Sequence, residues 1–310
     1  MIPANNAVSK PVIGKTRART GSLEGHLHRL TPYLFLAPSL LVFAMFYYFP
    51  FIKTIVMSGY ITNNRGILKK FVGFANYLNL FRSPDFKQSL LVTLRFMPMV
   101  FIPTLILGML MALIAEKRVK YLSPVTEVLF SLPMAVASAS AAIVWRMAFH
   151  PSVGVLNYVL GTQFQWLTDK NTALFSVALV TVWLQVGFTF IFLVTGLRCV
   201  PAELIESASL DGCGALRQIV HIKLPMISPT LFFVIFFNLI ASFQSFGQVR
   251  LLTQGGPGTT TLTLGYIIYL EAFQNKRYGS AAAMSMLLFL LLLSITLMQF
   301  RFERKGVFYN

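Results

Sequence analysis

Six stretches of this chain are each long and apolar enough to cross a lipid bilayer. No other feature limits its fold as much. They run roughly over 32–58, 89–115, 124–149, 173–197, 226–249 and 279–300. A helix rises about 1.5 Å per residue, so about 20 apolar residues match a hydrocarbon layer of about 30 Å. No water is present there to satisfy backbone N–H and C=O groups, so each run must be helical. Prolines at 38, 50, 98, 103 and 133 fall inside or near these runs. A bundle tolerates them where neighbouring groups satisfy the freed backbone. Charged residues make up only 12% of the chain, against about 25% in a soluble domain. The sequence predicts an all-α membrane protein with six transmembrane helices over 31–310, behind a polar, basic tail over 1–30.

The net charge of +16 does not point to nucleic acid. A nucleic-acid surface gathers Lys and Arg on one soluble face, whereas here they lie in the gaps between apolar runs. They read as membrane-flanking charges that set orientation. Six spans place both termini on one side. Fourteen basic residues fall there, among them Lys10, Lys15, Lys117, Arg118, Arg198, Lys223 and Arg304, against nine on the other side. The positive-inside rule therefore predicts cytoplasmic termini and a cytoplasmic polar stretch over 198–225. Cys199 and Cys213 flank or lie in that stretch and are expected to be reduced there. The tail is long for a signal-peptide n-region, and no small-residue cleavage site follows it, so no cleavable signal is expected. Gly14-Lys15-Thr16 ends like a phosphate loop, but Ser9 stands where the first glycine is needed. His26, His28, His150 and His221 are scattered, and no cysteine pair has zinc spacing. Neither a metal site nor catalysis is predicted.

The stretch from Val200 to Pro229 interrupts the apolar runs most clearly. Pro201 can open a helix, where its missing N–H costs nothing. Leu204, Ile205, Ala208 and Leu210 follow at helical spacing, with Glu203, Glu206 and Asp211 between them. Gly212 and Gly214 can take positive φ and turn the chain, and Asp211 is expected to fix the turn by accepting backbone N–H bonds. A second helix over 215–223 leads into Leu224-Pro225. This is a helix-turn-helix shaped for docking onto another protein. On the other side, three loops near 59–88, 150–172 and 250–278 are expected. The third holds Gln254, Gly255, Gly256 and Pro257, which force irregular backbone. Such backbone at a membrane must be buried in protein or line a cavity.

Glu206-Ser207-Ala208, Asp211-Gly212, Ile219, Ile222 and Leu224-Pro225 resemble, in type and spacing, the EAA loop of binding-protein-dependent ABC importer permeases. Ser207, Cys213 and Ile219 depart from the usual Ala, Ala and Phe but stay small or apolar. Leu252 to Pro257, followed by Thr261, Tyr266, Tyr269, Phe273 and Tyr278-Gly279, is similar to the carbohydrate branch, the permeases of maltose and glycerol-3-phosphate type. The resemblance covers nearly the whole chain from Tyr33 onward. It implies a type I, MetI-like importer fold with N-in/C-in orientation in a bacterial inner membrane. The implied partners are a second, homologous permease, two ATPase subunits, an extracytoplasmic substrate-binding protein, a carbohydrate substrate and the lipid bilayer, with no nucleic acid. ATP and Mg would reside on the ATPase, with no cofactor on this chain. Glu203, Glu206, Ala208, Asp211, Gly212, Leu224 and Pro225 would couple to the ATPase.

The resemblance leaves the spans to be read residue by residue. Asn238, Ser242, Gln244, Ser245 and Gln248 lie in the fifth run, with Phe243 and Phe246 among them, and Trp183 and Gln185 lie in the fourth. Polar groups in hydrocarbon must be paired or face a cavity. Two readings stand: a substrate pathway that bonds sugar hydroxyls and stacks on the rings, or hydrogen bonding between helices. Glu127 and Arg146 are expected to snorkel from the ends of the third run. Arg95 lies deeper and reads either as a magnet for an anionic substrate or as half of a structural pair. The rival class is an ion-driven secondary transporter, which would show internal repeats; none is visible.

Overall fold

In a computed structural model, residues 23–116 and 122–306 are described. Residues 1–22 of the expected tail over 1–30, with its Gly14-Lys15-Thr16, and Lys117, Arg118 and Lys120 lie outside the described residues, while 23–30 open the first helix. The chain divides into two units, Met1–Lys53 and Thr54–Asn310. The first holds α1 (Leu23–Phe43), a π-helical turn (Ala44–Tyr48) and the start of α2 (Phe49–Ser58). The wide turn falls just ahead of Pro50, which has no N–H to offer the preceding turn.

The second unit opens with a hairpin that hydropathy did not reveal. β1 (Tyr60–Thr62) pairs antiparallel with β2 (Leu68–Phe71), Tyr60 opposite Phe71. α3 (Ala75–Arg82) and α4 (Pro84–Ala115) follow. Pro84 occupies the first turn of α4, and the Phe86 N–H donates to the Ser83 hydroxyl (3.4 Å). Next come α5 (Leu122–Ala135), α6 (Ser138–Ala148), α7 (Val155–Leu160) and α8 (Ala173–Arg198). The polar stretch forms α9 (Ala202–Leu210), α10 (Ala215–Gln218), a π-helical turn (Ile219–Lys223) and α11 (Leu224–Met226). The chain closes with α12 (Ser228–Phe243), α13 (Phe246–Leu252), α14 (Leu264–Tyr269), a π-helical turn (Leu270–Gln274) and α15 (Tyr278–Gly306).

Four of the six expected spans are single helices: Pro32–Ser58, Pro84–Ala115, Ala173–Arg198 and Tyr278–Arg301. The other two differ from expectation. Val125–Ala135 meets Ser138–Ala148 at 98°, and Ala215–Met226 meets Ser228–Phe243 at 78°. Pro133 stands in the last turn before the first bend, and Pro225 and Pro229 bracket the second; neither ring can donate to the turn before it. The fifth run breaks once more, where the Phe246 N–H donates to Gln244 O (2.7 Å) across Ser245. At φ −72° and ψ 66°, Ser245 forms an inverse γ-turn.

α8 is the axis, packed against α4, α5 and α12. Its Val177, Val180, Phe190 and Leu193 are fully buried. Lipid tails give helices no hydrophobic reason to associate, so close backbone approach must supply the contact. Three glycines provide it. A Cβ on Gly108 would lie 2.4 Å from Thr189 Cγ2, one on Gly187 would lie 3.1 Å from Ser131 O, and one on Gly196 would lie 3.1 Å from Thr230 Oγ1.

Two ion pairs fasten the far end of α4. Arg198, at the end of α8, donates Nη2 to Glu127 Oε1 (2.6 Å) and to Ala115 O (2.9 Å). It thereby binds α5 and meets an orphan carbonyl at the α4 C-terminus, where a cation also suits the helix dipole. Glu127 therefore does not snorkel as expected, because a guanidinium is within reach. Lys223 pairs with Glu116, and both side chains are largely buried (14% and 13% exposed).

Gly108→Val should overfill the α4–α8 crossing and cost about 2 kcal/mol, lowering the unfolding temperature in detergent. Gly247→Ala, with no atom within 4 Å of its Cβ, should hold or raise it. Lys223→Met should strand the Glu116 carboxylate at a cost of about 3 kcal/mol, and adding Glu116→Gln should recover most of it. Equal unfolding temperatures for wild type, single and double variants would remove the pair from the account.

Candidate functional site

The helix-turn-helix is built as a rigid protrusion. Its first helix, α9, ends in a backbone motif in which the Cys213 N–H donates to Ala208 O (2.9 Å) and the Gly212 N–H to Ser209 O (3.1 Å). This double closure needs a left-handed residue between helix and exit. Gly212 supplies it at φ +76°, and a Cβ there would meet no atom within 4 Å. The requirement is therefore backbone conformation and not space. Gly214, also expected to turn at positive φ, has φ −67°.

Asp211 does not fix the turn. Its carboxylate accepts no hydrogen bond among the described residues, and its backbone N–H bonds to Ser207 O (3.0 Å). The tie comes from Gln218, whose Nε2 donates to Ser209 Oγ (2.9 Å) and to Cys213 O (2.9 Å), binding α10 to the turn. Sequence reasoning missed Gln218, because a glutamine nine residues from its partner carries no local signal. Leu224 N–H closes the π-helical turn on Ile219 O, which widens the helix just ahead of Pro225. Leu224 packs against the buried cluster around Phe190 and Leu193.

The hairpin's exposed surface is charged and apolar together. Glu203 and Glu206 are exposed, and Ala208 is half-buried. Leu210 and Leu216 are bare, 90% and 75% exposed. Behind the hairpin lies a cleft of about 830 Å³ between Glu206, Ile205 and Gln218 on one side and Leu113, Glu116 and Arg198 on the other. Lys223 also lines it, so the ion pairs of the α4 end form its floor.

The polar residues of the fourth and fifth runs divide. Asn238 is buried and donates Nδ2 to Thr189 Oγ1 (2.8 Å) and Val234 O (2.9 Å). Ser242 Oγ donates to Asn238 O (2.7 Å) and Ser245 Oγ to Ala241 O (3.0 Å). These three make bonds within and between helices. Phe243, which could have stacked, is buried. Gln244 is exposed, and Gln248, Trp183 and Gln185 are half-buried. Trp183 stands edge-on to Trp145, ring centres 5.8 Å apart. Arg95 is exposed on α4, and the structural pair is not formed among the described residues.

The loop with Gly255, Gly256 and Pro257 is tightly wound. Thr261 Oγ1 donates to Gly256 O (2.8 Å) and lies 2.7 Å from Thr253 Oγ1. Gly255 has φ +83°, and a Cβ there would come 3.0 Å from the Tyr266 ring. The Gly256–Pro257 peptide is cis. The Leu264 N–H donates to Thr93 Oγ1 (2.7 Å), docking the loop on α4. Gly256 and Pro257 line a cleft of about 320 Å³ with Arg146, His150, Thr168 and Thr253. Beside it, Phe246 stacks near Tyr266 and Tyr269, and the Arg250 guanidinium lies 4.6 Å from the Tyr269 ring centre. Burial first, and then Tyr269, push the Tyr266 hydroxyl above the usual phenol range, while Arg250 pulls it down. Arg250 reads in sequence only as a flanking charge. Among the described residues no three His, Cys, Asp or Glu converge on a metal-sized site.

Known proteins share this arrangement. Residues 104–306, from α4 through α15, match the family described as binding-protein-dependent transport system inner membrane component. The sn-glycerol-3-phosphate transport system permease protein UgpA of Agrobacterium fabrum is 33% identical over 287 residues, 91% of this chain and 98% of that protein. The protein of the same name from Pectobacterium atrosepticum is 35% identical over 286 residues, 90% of this chain and 96% of its own length. Among solved structures, a chain of the bacterial alginate ABC transporter in complex with its alginate pentasaccharide-bound periplasmic protein superposes with a TM-score of 0.80 at 23% identity, covering 91% of this chain and 97% of that one. With the helix-turn-helix inside the matched region and relatives alike along almost their whole length, this multi-pass membrane chain belongs to the binding-protein-dependent transport system inner membrane component family.

Proposed function

We propose that this chain is a non-catalytic permease subunit of an ATP-driven, binding-protein-dependent importer of a carbohydrate or sugar derivative. It would cross a bacterial inner membrane six times, the third time through the bent pair Val125–Ala135 and Ser138–Ala148 and the fifth through Ser228–Phe243, with both termini in the cytoplasm. It would form half of the translocation pathway beside a second, homologous permease. Two ATPase subunits, carrying the ATP and Mg, would bind from the cytoplasm, and a substrate-binding protein would dock outside near Gly255, Gly256 and Pro257. The cargo for which these relatives are named, sn-glycerol-3-phosphate, makes an anionic sugar derivative the first compound to test. The exposed Arg95 supports that choice.

One observation carries the reading. The hairpin exposes Glu203, Glu206, Asp211 and bare leucines, yet it is bound through Lys223–Glu116 to the end of α4. A carboxylate at a helix C-terminus opposes the dipole, and Asp211 receives no bond within the described chain in return. Such a residue suits contact with another protein better than local stability. ATP-driven closure of the ATPase pair would push the hairpin, and the spans attached to it would switch the pathway between inward- and outward-facing states. Trp183, Gln185, Gln244, Phe246 and Gln248 would meet the substrate, with Asn238, Ser242 and Ser245 holding the helices that carry them.

The test is reconstitution with the second permease, the ATPase and the binding protein. A β-branched residue at φ +76° is strained by about 1–2 kcal/mol or more. Gly212→Val should therefore cut transport and ATPase co-purification about tenfold or more. Glu206→Gln should weaken ATPase attachment while leaving the unfolding temperature unchanged. Full assembly and full transport in both variants would overturn the coupling role. Direct binding of sn-glycerol-3-phosphate, an acidic sugar and a neutral oligosaccharide to the binding protein would identify the cargo.

A further inference from the structure

Between the first and second candidate spans, the chain forms the β1–β2 hairpin and α3. α3 is held one way round. Asn76 Nδ2 donates to Ser58 O (2.8 Å) and Tyr60 O (3.1 Å), and Tyr77 Oη donates to Ser58 Oγ (2.8 Å). Leu80 is buried on the same inner side. The outer side carries Phe74, Leu78 and Phe81, spaced i, i+4 and i+7 along one stripe. They are 80%, 59% and 52% exposed, and the neighbouring Phe71 is bare as well. This is an apolar face that the described residues leave open.

Two observations say what covers it. The first is depth. Ser58, which anchors α3, is the last residue of the first span, and α4 begins at Pro84, just after α3 ends. Asp85 and Lys87 precede the apolar part of α4, so the second span enters hydrocarbon only below α3. The anchor therefore fixes α3 at the level where the apolar runs give out. The second is charge. From Gly59 to Gln88 the basic residues are Arg65, Lys69, Lys70, Arg82 and Lys87, and the only acid is Asp85. Lys69, Lys70 and Arg82 are exposed beside the aromatic stripe. An apolar stripe flanked by cations, at headgroup depth, has the chemistry of an in-plane membrane anchor.

We propose that β2 and α3 form an interfacial foot seated in the headgroup layer of an anionic phospholipid leaflet. Phe74, Leu78 and Phe81 contact the upper acyl chains, and Lys69, Lys70 and Arg82 meet the lipid phosphates. The foot holds the entry of α4, and with it the Thr93–Leu264 contact, at a fixed depth. It requires only that the chain spans a membrane and does not depend on the cargo or the coupling partner.

The test uses the full chain in the complex purified from membranes, with Cys199→Ser and Cys213→Ser. Leu78→Cys, Phe81→Cys or Asn79→Cys is added and labelled with bimane. Asn79 is the control, because it lines a polar cleft with Asp85, Glu271 and Arg277 on another side of α3. In nanodiscs carrying doxyl-labelled lipid, the Leu78→Cys and Phe81→Cys labels should be quenched about threefold more than the Asn79→Cys label. Replacing phosphatidylglycerol by phosphatidylcholine should lower that quenching by about half, and Lys69→Gln with Lys70→Gln and Arg82→Gln should lower it similarly in phosphatidylglycerol. Equal quenching at all three positions would overturn the foot. So would labels shielded only when the binding protein or the second permease is added. Quenching that ignores both lipid charge and the three Gln substitutions would overturn the anionic-lipid assignment.

Discussion

The lashing at the end of α4 is the interaction on which the molecule's mechanics depend. Without Lys223–Glu116 and the Arg198 contacts to Glu127 and Ala115, α9 and α10 would hang from two chain crossings. With them, the hairpin is fastened to the end of α4. From Ala115 back to Thr93 is about 33 Å at 1.5 Å per residue. At Thr93 the same helix accepts the backbone of the loop that follows Gly256 and Pro257. One rigid element thus touches both polar ends. A displacement of the hairpin cannot be absorbed locally and must move α4, α8 or both.

What lets such helices move as bodies is the way they touch. The α4–α8 crossing rests on Gly108 against Thr189, and the α8–α12 contact rests on Gly196 against Thr230. Small residues bring backbones together without interlocking long side chains. Apolar clusters lie on either side, one around Phe96 and Val180 and the other around Phe190 and Val234. Between them sits a polar layer in which Asn238 reaches Thr189, while Thr104 Oγ1, Gln185 Oε1 and Asn238 Oδ1 have no partner among the described residues. A partly paired polar layer is less uniquely specified than the apolar packing around it. The substrate pathway proposed above adjoins this layer through Gln185.

Sequence alone carried the fold class, because a bilayer leaves a long apolar run no choice but helix. It also carried the helix-turn-helix and the choice of Gly212, since glycine takes a left-handed conformation without the Cβ strain that other residues meet there. It did not carry the bends. Pro103 lies inside the unbroken α4 while Pro133 precedes a 98° turn, and only neighbouring helices decide which proline breaks its helix. Nor did it carry pairings across long separations. Glu127 and Arg198 are 71 positions apart, and hydropathy sees each only as a charge near a span end. The short strands around Gly66 were hidden because Leu68 to Phe71 is exposed along its length and shows no alternation.

The contrast between Gln218 and Asp211 separates a residue that serves the fold from one that the fold does not account for. Gln218 spends both of its amide bonds inside the hairpin, so its whole role is visible in one chain. Asp211 stands at the one place on α9 where a negative charge is unfavourable, and no described group compensates it. The same holds for Leu210 and Leu216, bare apolar side chains at the end away from the lipid-facing runs. Stability within the chain explains none of these three choices. The ATPase surface proposed above, if basic opposite Asp211 and apolar opposite the leucines, would account for all of them at once.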